Sequence, residues 1–245
     1  MYNSIKQLIR RLIPRQTLYT LEPKFRMVLA LFYRGNEVEC NLCNGHFRKF
    51  VVLEDEDELC PKCGSLPRTR RLWELLSTRY LKDGVSVLDF SPSRSLYRVM
   101  NDQTNIHYAG TDISGDFLSD FHFDITNIDA PDANWDVIIC YHILEHIDND
   151  LVAMQELNRV LKNGGVCLIQ TPFKSGDTYE NPSVISESER LIHFGQEDHV
   201  RIYSVAGLQK RLQKVGFKVD VLSFPDVDKS RLGYNANETV LICTK

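Results

Sequence analysis

The sequence predicts an α/β fold: a largely parallel sheet with helices on both faces, preceded by a small module of helix and cysteine knuckles. Three observations carry that expectation. From Gly84 onward short apolar runs alternate with amphipathic segments, the pattern of βα repeats. Residues 135–141, WDVIICY, are a continuous apolar run suited to burial on both faces of a parallel sheet. Residues 85–114 read as strand, turn, helix, strand and then an acid, Asp112. In a parallel sheet, that order puts the first turn under the charged part of a nucleotide-like ligand and the acid at its ribose.

The 245 residues, 43% hydrophobic and 25% charged, are enough for one full α/β core and a small appendage. A net charge of −4 gives no global attraction to nucleic acid. No run reaches the roughly 18 apolar residues of a membrane span. The amino terminus interrupts its apolar residues with Lys6, Arg10 and Arg11, unlike a signal peptide, so the expected location is cytoplasmic.

Residues 1–39 predict a helical arm. Ile5, Leu8, Ile9, Leu12 and Ile13 recur at helical spacing before Pro14, and a second helical run spans residues 25–33. A basic helix with an apolar stripe can lie on a membrane surface or an RNA, or pack on the main domain with its basic side solvated.

Cys40-x-x-Cys43 and Cys60-x-x-Cys63, separated by 16 residues, have the spacing of a four-cysteine zinc site over residues 40–65. Four thiolates close a tetrahedral shell, so the expected ion is structural. Arg48, Lys49, Lys62 and Arg68 are near enough in sequence to offset its negative charge. His46 reads as a bystander. Cys140, Cys167 and Cys243 sit singly in apolar runs, as reduced, buried thiols do. Residues 66–83 read as a connecting helix with Leu72, Leu75 and Leu76 inward. Its arginines, Arg68, Arg70, Arg71 and Arg79, suit either phosphates or plain solvation.

In the main domain, residues 84–245, strands are expected at 85–90, 106–112, 121–125, 135–141, 166–171, 217–224 and 238–244. A helix should span about 148–162, stopped by Gly164-Gly165, and another should follow the capping residue Ser204. Residues 172–203 look irregular and too long for a plain connection, hence a lid or substrate loop.

The run from Val85 onward, with VLD, TDIS, FDIT, WDVIICYHILEHI, ELNRVLKNGG and a closing GFKV hairpin, resembles the class I S-adenosylmethionine-dependent methyltransferases. The resemblance implies a Rossmann-like seven-stranded sheet with its last strand inserted antiparallel. It implies S-adenosylmethionine as cofactor: Asp112 at the ribose, Asp124 with Ile125 at the adenine, and Asp89 with Ser91, Ser93 and Arg94 at the methionine end. Tyr141 and His142 would then lie under the sulfonium. For an oxygen or nitrogen nucleophile the chemistry needs alignment and a base, with His142 and His199 the leading candidates among His142, Glu145, His146, His193, Asp198 and His199. The expected acceptor is a small molecule or sugar-type compound. The alternatives are an RNA methyltransferase using the ribbon, or a non-catalytic zinc-ribbon adaptor. The first turn has no glycine, which predicts that serine or arginine side chains replace close backbone approach. His142-x-x-Glu145-His146 also matches the inverted zinc-protease signature, but follows a buried strand rather than lying along a helix.

Overall fold

A computed structural model describes residues 15–54, 57–224 and 231–245. They divide into two compact units, the described parts of Met1–Leu75 with Val227–Asn235, and of Leu76–Asp226 with Ala236–Lys245. Among the described residues no helix is long and apolar enough to cross a membrane. The basic amphipathic segment expected at residues 5–13 lies outside the described residues.

The first unit opens with helix α1 (Arg15–Leu31), which runs through Pro23 and leaves Phe25, Met27 and Val28 exposed. Two small antiparallel hairpins follow. Strand β1 (Arg34–Cys40) pairs with β2 (Gly45–Phe47), and β3 (Val51–Val52) with β4 (Glu58–Leu59). Helix α2 (Pro67–Leu75) closes the run and buries Leu72 and Leu75. Residues 231–235 return to this unit, where Glu39 donates its backbone N–H to the Arg231 carbonyl at 2.8 Å.

The second unit begins with a single π-helical turn (Leu76–Tyr80) and then builds the sheet. Its strands are β5 (Ser86–Phe90), β6 (His107–Thr111), β7 (Trp135–Tyr141), β8 (Leu161–Gln170), β11 (Lys218–Phe224) and β12 (Glu238–Thr244), with β9 (Tyr179–Glu180) and β10 (Arg201–Ile202) forming a separate pair. The sheet order is β11-β12-β8-β7-β5-β6. Strands β6, β5, β7 and β8 are parallel, while β12 runs antiparallel to both β8 and β11. The expected strand at 121–125 is reduced to one parallel bridge between Phe121 and Thr111, because Asp124 turns back to bridge Asn127. The Asp124-Ile-Thr126 turn leaves this edge no room for a ladder.

Helices α3 (Arg94–Asn101), α4 (Asp150–Val160), α5 (Glu187–Phe194) and α6 (Val205–Lys214) complete the unit. Helix α4 stops at Val160, two residues short of the expected end, and the chain passes straight into β8 at Leu161. A Cβ on Gly165 would stand 2.9 Å from the Asp136 carbonyl oxygen, so that crossing requires glycine. Residues 172–203 are not irregular throughout: α5 carries a Ser186/Glu189 capping box and a left-handed Gly195 at its end. The core lies between sheet and helices, with Leu88, Ile138, Met154, Leu157, Leu161, Leu208 and Leu212 wholly buried. Cys140, Cys167 and Cys243 are buried free thiols in the sheet, as their apolar surroundings suggest.

Candidate active site and cysteine cluster

Strand β5 is followed in the chain by β6 on one side of the sheet and by β7 on the other, so the strand order reverses at β5. Beyond the carboxyl ends of strands at such a switch point is where α/β sheets place their ligands. The chain is strained there. Ser91, just past β5, has φ 49°, and His142, just past β7, has φ 57°. A left-handed conformation costs a non-glycine residue roughly 1–2 kcal/mol, and such residues cluster at functional sites. The tight corner after β5 is thus made with serine where glycine would be unstrained.

Ser91 is held by its donation of Oγ–H to Asp112 Oδ1 at 2.8 Å. Asp112 is buried, and its Oδ2 accepts from Ser114 Oγ (2.8 Å), Asp116 N (2.9 Å) and Phe117 N (3.3 Å). Beside it, Ile113 is 66% exposed and Phe117 and Phe121 are also open, an apolar rim next to a buried carboxylate. Ser93 caps α3 by accepting from Leu96 N, and Arg94 is the first helical residue. Gly110 lets this turn approach β6, since a Cβ there would meet Tyr97 at 3.0 Å and Pro92 at 3.2 Å. Asp124 is an exposed turn residue whose carboxyl lies below its usual range because Thr126 N and Oγ1 donate to it, while Ile125 is buried in the core.

Asp89 is buried, and Tyr108 donates its hydroxyl to Oδ2 at 3.0 Å. Burial pushes its carboxyl up to about 8 from an ordinary 3.8, against the smaller opposing effect of that hydrogen bond. The folded chain therefore holds this proton up to near pH 8, while the unfolded chain releases it above about pH 4. Asp89 should cost no stability below pH 4, and should cost progressively more as pH rises from 4 to 8, by roughly 1 kcal/mol per unit. Urea midpoints of wild type and Asp89→Asn between pH 5 and 8 should diverge in favour of the variant as pH rises. Parallel curves would contradict this assignment.

At the end of β7, His142 anchors its backbone N–H on the Gln170 carbonyl (2.8 Å) and sets Nδ1 3.3 Å from Glu145 Oε1. A 3₁₀ turn (Leu144–His146) then brings in His146, whose ring meets that of His199 edge-on with centroids 4.6 Å apart. His199 is buried, and its imidazolium is disfavoured first by that burial and then by His146. Val200 N donates to the Glu145 carbonyl at 2.9 Å. Buried Arg201 donates to the carbonyls of Leu144 (3.1 Å), Ile147 and Asp148 (2.8 Å) and to Glu180 (3.1 Å). Tyr203 and Arg211 both donate to Asp150 Oδ2, at 2.5 and 2.6 Å. Five of the six sequence candidates, His142, Glu145, His146, Asp198 and His199, thus form one group, Asp198 lying 3.3 Å from His146 Nδ1, whereas His193 lies apart and pairs with Tyr179 (2.7 Å).

In the first unit all four cysteine sulfurs lie within 4.8 Å of one another. Cys40 and Cys63 Sγ are 3.6 Å apart, and Cys43 and Cys60 are 3.7 Å apart. Both distances are far beyond a disulfide bond. They match the spacing of about 3.8 Å between thiolates on a tetrahedral ion with bonds of about 2.3 Å. Like charges so close cannot all form unaided: hydrogen bonding within the cluster holds Cys40 well below the usual thiol range and drives Cys63 far above it. Arg70 adds to the expected charge balance, in which Lys62 donates to the Cys43 carbonyl at 3.0 Å. Arg70 is wholly buried and donates to the carbonyls of Leu232 (2.6 Å), Gly233 (2.5 Å), Ser65 (2.8 Å) and Glu58 (3.0 Å), with its guanidinium 4.1 Å over the Phe50 ring. Arg71 is also buried, 4.0 Å over Tyr234, while Arg48 and Lys49 are exposed.

A family model described as a methyltransferase domain matches residues 66–222. The chain belongs to the methyltransferase domain family. A Mycolicibacterium smegmatis (strain ATCC 700084 / mc(2)155) protein named as a probable S-adenosylmethionine-dependent methyltransferase is 31% identical over 104 residues. That alignment covers 40% of this chain and 35% of the relative, so the chain matches about a third of the relative's length. An S-adenosylmethionine-dependent methyltransferase from Archaeoglobus fulgidus superposes with TM-score 0.52 at 17% identity, covering 71% of this chain and 91% of that one. Haemonchus contortus phosphoethanolamine N-methyltransferase 2, solved with S-adenosyl-L-methionine, gives TM-score 0.52 at 14% identity over 72% of this chain and 52% of that one. These two likenesses show the fold of the methyltransferase unit alone.

Ile113, Phe117 and Ser114 around Asp112, and Tyr108 on Asp89, were not singled out from the sequence. The methyltransferase motif TDIS contains two of them, and an apolar residue directly after a strand-end acid was the available signal.

Proposed function

We propose that this methyltransferase moves a methyl group from S-adenosylmethionine to a small-molecule or sugar-type oxygen or nitrogen nucleophile. The observation that carries the reading is the pair of left-handed corners, Ser91 and His142, flanking buried acids at the switch point of the sheet. In this reading Asp112 accepts the ribose hydroxyls, which replace the Ser91 and Ser114 hydroxyls now on its oxygens. Ile113 lies against the adenine, with Asp124 and the Ile125 backbone at its amino edge. Asp89, Ser91, Ser93 and Arg94 surround the methionine end, with the first amides of α3 available to its carboxylate. Tyr141 and His142 face the sulfonium.

The donor carries its own activation in the positive sulfur, so the protein's task is to align the acceptor and remove its proton. His142, with 28% of its side chain exposed and Glu145 behind it, is the base in this reading. His199 stands behind that pair, supporting the corner rather than meeting the acceptor. The four cysteines hold one structural zinc ion. A small acceptor is favoured over RNA because, of the four arginines that suited phosphates, Arg70 and Arg71 are buried among carbonyls and aromatic rings and Arg68 pairs with Asp57, leaving Arg79 exposed.

The test is transfer from methyl-tritiated donor to separated small-molecule, glycan and RNA fractions. Label should enter a nuclease-resistant fraction, and His142→Ala should lower the rate about 10²- to 10⁴-fold. Label that nuclease releases would overturn the acceptor class, and an unchanged rate in the variant would remove His142 as base.

A further inference from the structure

We infer that the corner after β7 is a second metal site, built from Glu145, His146 and His199 and suited to a divalent transition-metal ion. It goes beyond the methyl-transfer reading and does not depend on the acceptor. One donor atom from each of the three side chains lies within 4.8 Å of the other two. The second, independent observation is Glu145 itself. Its residue is 1% exposed, and neither carboxylate oxygen meets a well-aligned hydrogen-bond donor among the described residues. His142 Nδ1, 3.3 Å from Oε1, is at ion-pair distance without the alignment of a hydrogen bond. The His142 imidazole offsets the burial of this carboxylate in part, and a cation between it and two imidazoles would offset it further.

The surroundings are those of a ligand set. His146 Nδ1 is 3.3 Å from both the carbonyl oxygen and Oδ2 of Asp198. A metal-ligating histidine commonly gives its other ring nitrogen to such a partner, which orients the ring and leaves Nε2 for the ion. His199 is fixed by its neighbour Val200, whose N–H is bound to the Glu145 carbonyl, and by Arg201, which gathers the carbonyls of Leu144, Ile147 and Asp148. The frame that holds the two histidines against the glutamate is therefore rigid before any ion arrives. Two imidazoles and one carboxylate suit zinc, iron(II) or cobalt(II), and leave coordination positions open for water or an acceptor hydroxyl. Bound there, a hydroxyl would lose its proton more readily, beside His142.

The experiment is cobalt(II) loading of the full chain, followed by dialysis and elemental analysis. Wild type should retain two ions per chain. His146→Ala and Glu145→Gln should each retain one, with the sulfur-to-cobalt charge-transfer absorption of the cysteine cluster unchanged. Cys60→Ser should show the reverse, losing that absorption and keeping one ion. X-ray absorption on zinc-loaded wild type needs no variant, and should show nitrogen and oxygen neighbours in addition to sulfur. Wild type that stops at one ion with an all-sulfur shell, or folded His146→Ala that keeps two, would overturn the site. Binding of S-adenosylhomocysteine, measured in parallel, reports on the cofactor reading separately.

Discussion

Cys60→Ser is expected to unfold the first unit while leaving the methyltransferase sheet intact. The hairpins β1–β2 and β3–β4 are too short to be stable alone. The apolar core around them is small, chiefly Leu42, Phe47, Phe50, Leu59 and Leu72. Metal binding, worth on the order of 10–16 kcal/mol in zinc-finger peptides, is what offsets the ordering of such a module. With one thiolate gone, three remain crowded around a poorly held ion, and Arg70 loses the negative charge that faces it. Burial lowers the Arg70 guanidinium below its usual value, and the nearby charges on Cys40, Cys60 and Cys63 oppose that shift. Hydrogen exchange should show amides of β1–β4 and 231–235 unprotected in Cys60→Ser, with β5, β7 and β8 unchanged. Full protection of the hairpins without metal would contradict the account.

The second large effect is expected at Arg201. Its guanidinium serves three carbonyls of the segment 144–148 and the Glu180 carboxylate, and its Nε lies 3.9 Å from Asp150. Asp150 would keep Arg211 and the Tyr203 hydroxyl, but the carbonyls would lose their donor while remaining enclosed. Arg201→Ala should therefore cost about 3–5 kcal/mol, the range for breaking one side of a buried ionic network. For a chain of this size that corresponds to a fall of roughly 6–20 °C in melting temperature. Arg201→Lys should recover only part of the loss, because one ammonium cannot span a fork of carbonyls. A melting temperature within about 2 °C of wild type would show that the corner does not need this clamp.

What the sequence made legible was local. Strand β7 was readable because both its faces are apolar, and the cysteine cluster because its four sulfurs come from two short turns. Helix α6 announced itself through Ser204 and its apolar face. Helix α5 was missed although Ser186, Glu189 and Gly195 marked both ends, since an exposed eight-residue helix has a weak apolar period. The edge strand at 121–125 was over-read, because FHFDIT alternates like a strand while Asp124 commits to a turn. Arg70 could not be told from a solvated arginine, as two of its acceptors, Leu232 and Gly233, are some 160 residues away in sequence. Likewise nothing local announces that Ser91 takes positive φ, or that His199 folds back onto His146.

The central claim is that the buried acid beyond β6 receives the cofactor. Titration calorimetry with S-adenosylhomocysteine, on wild type and Asp112→Ala, tests it most directly. Wild type should bind, and the variant should lose roughly 1–3 kcal/mol as a charged hydrogen-bond acceptor is removed, a weakening of about 5- to 160-fold. No binding by folded wild type at high micromolar ligand, or equal affinity in the folded variant, would contradict it.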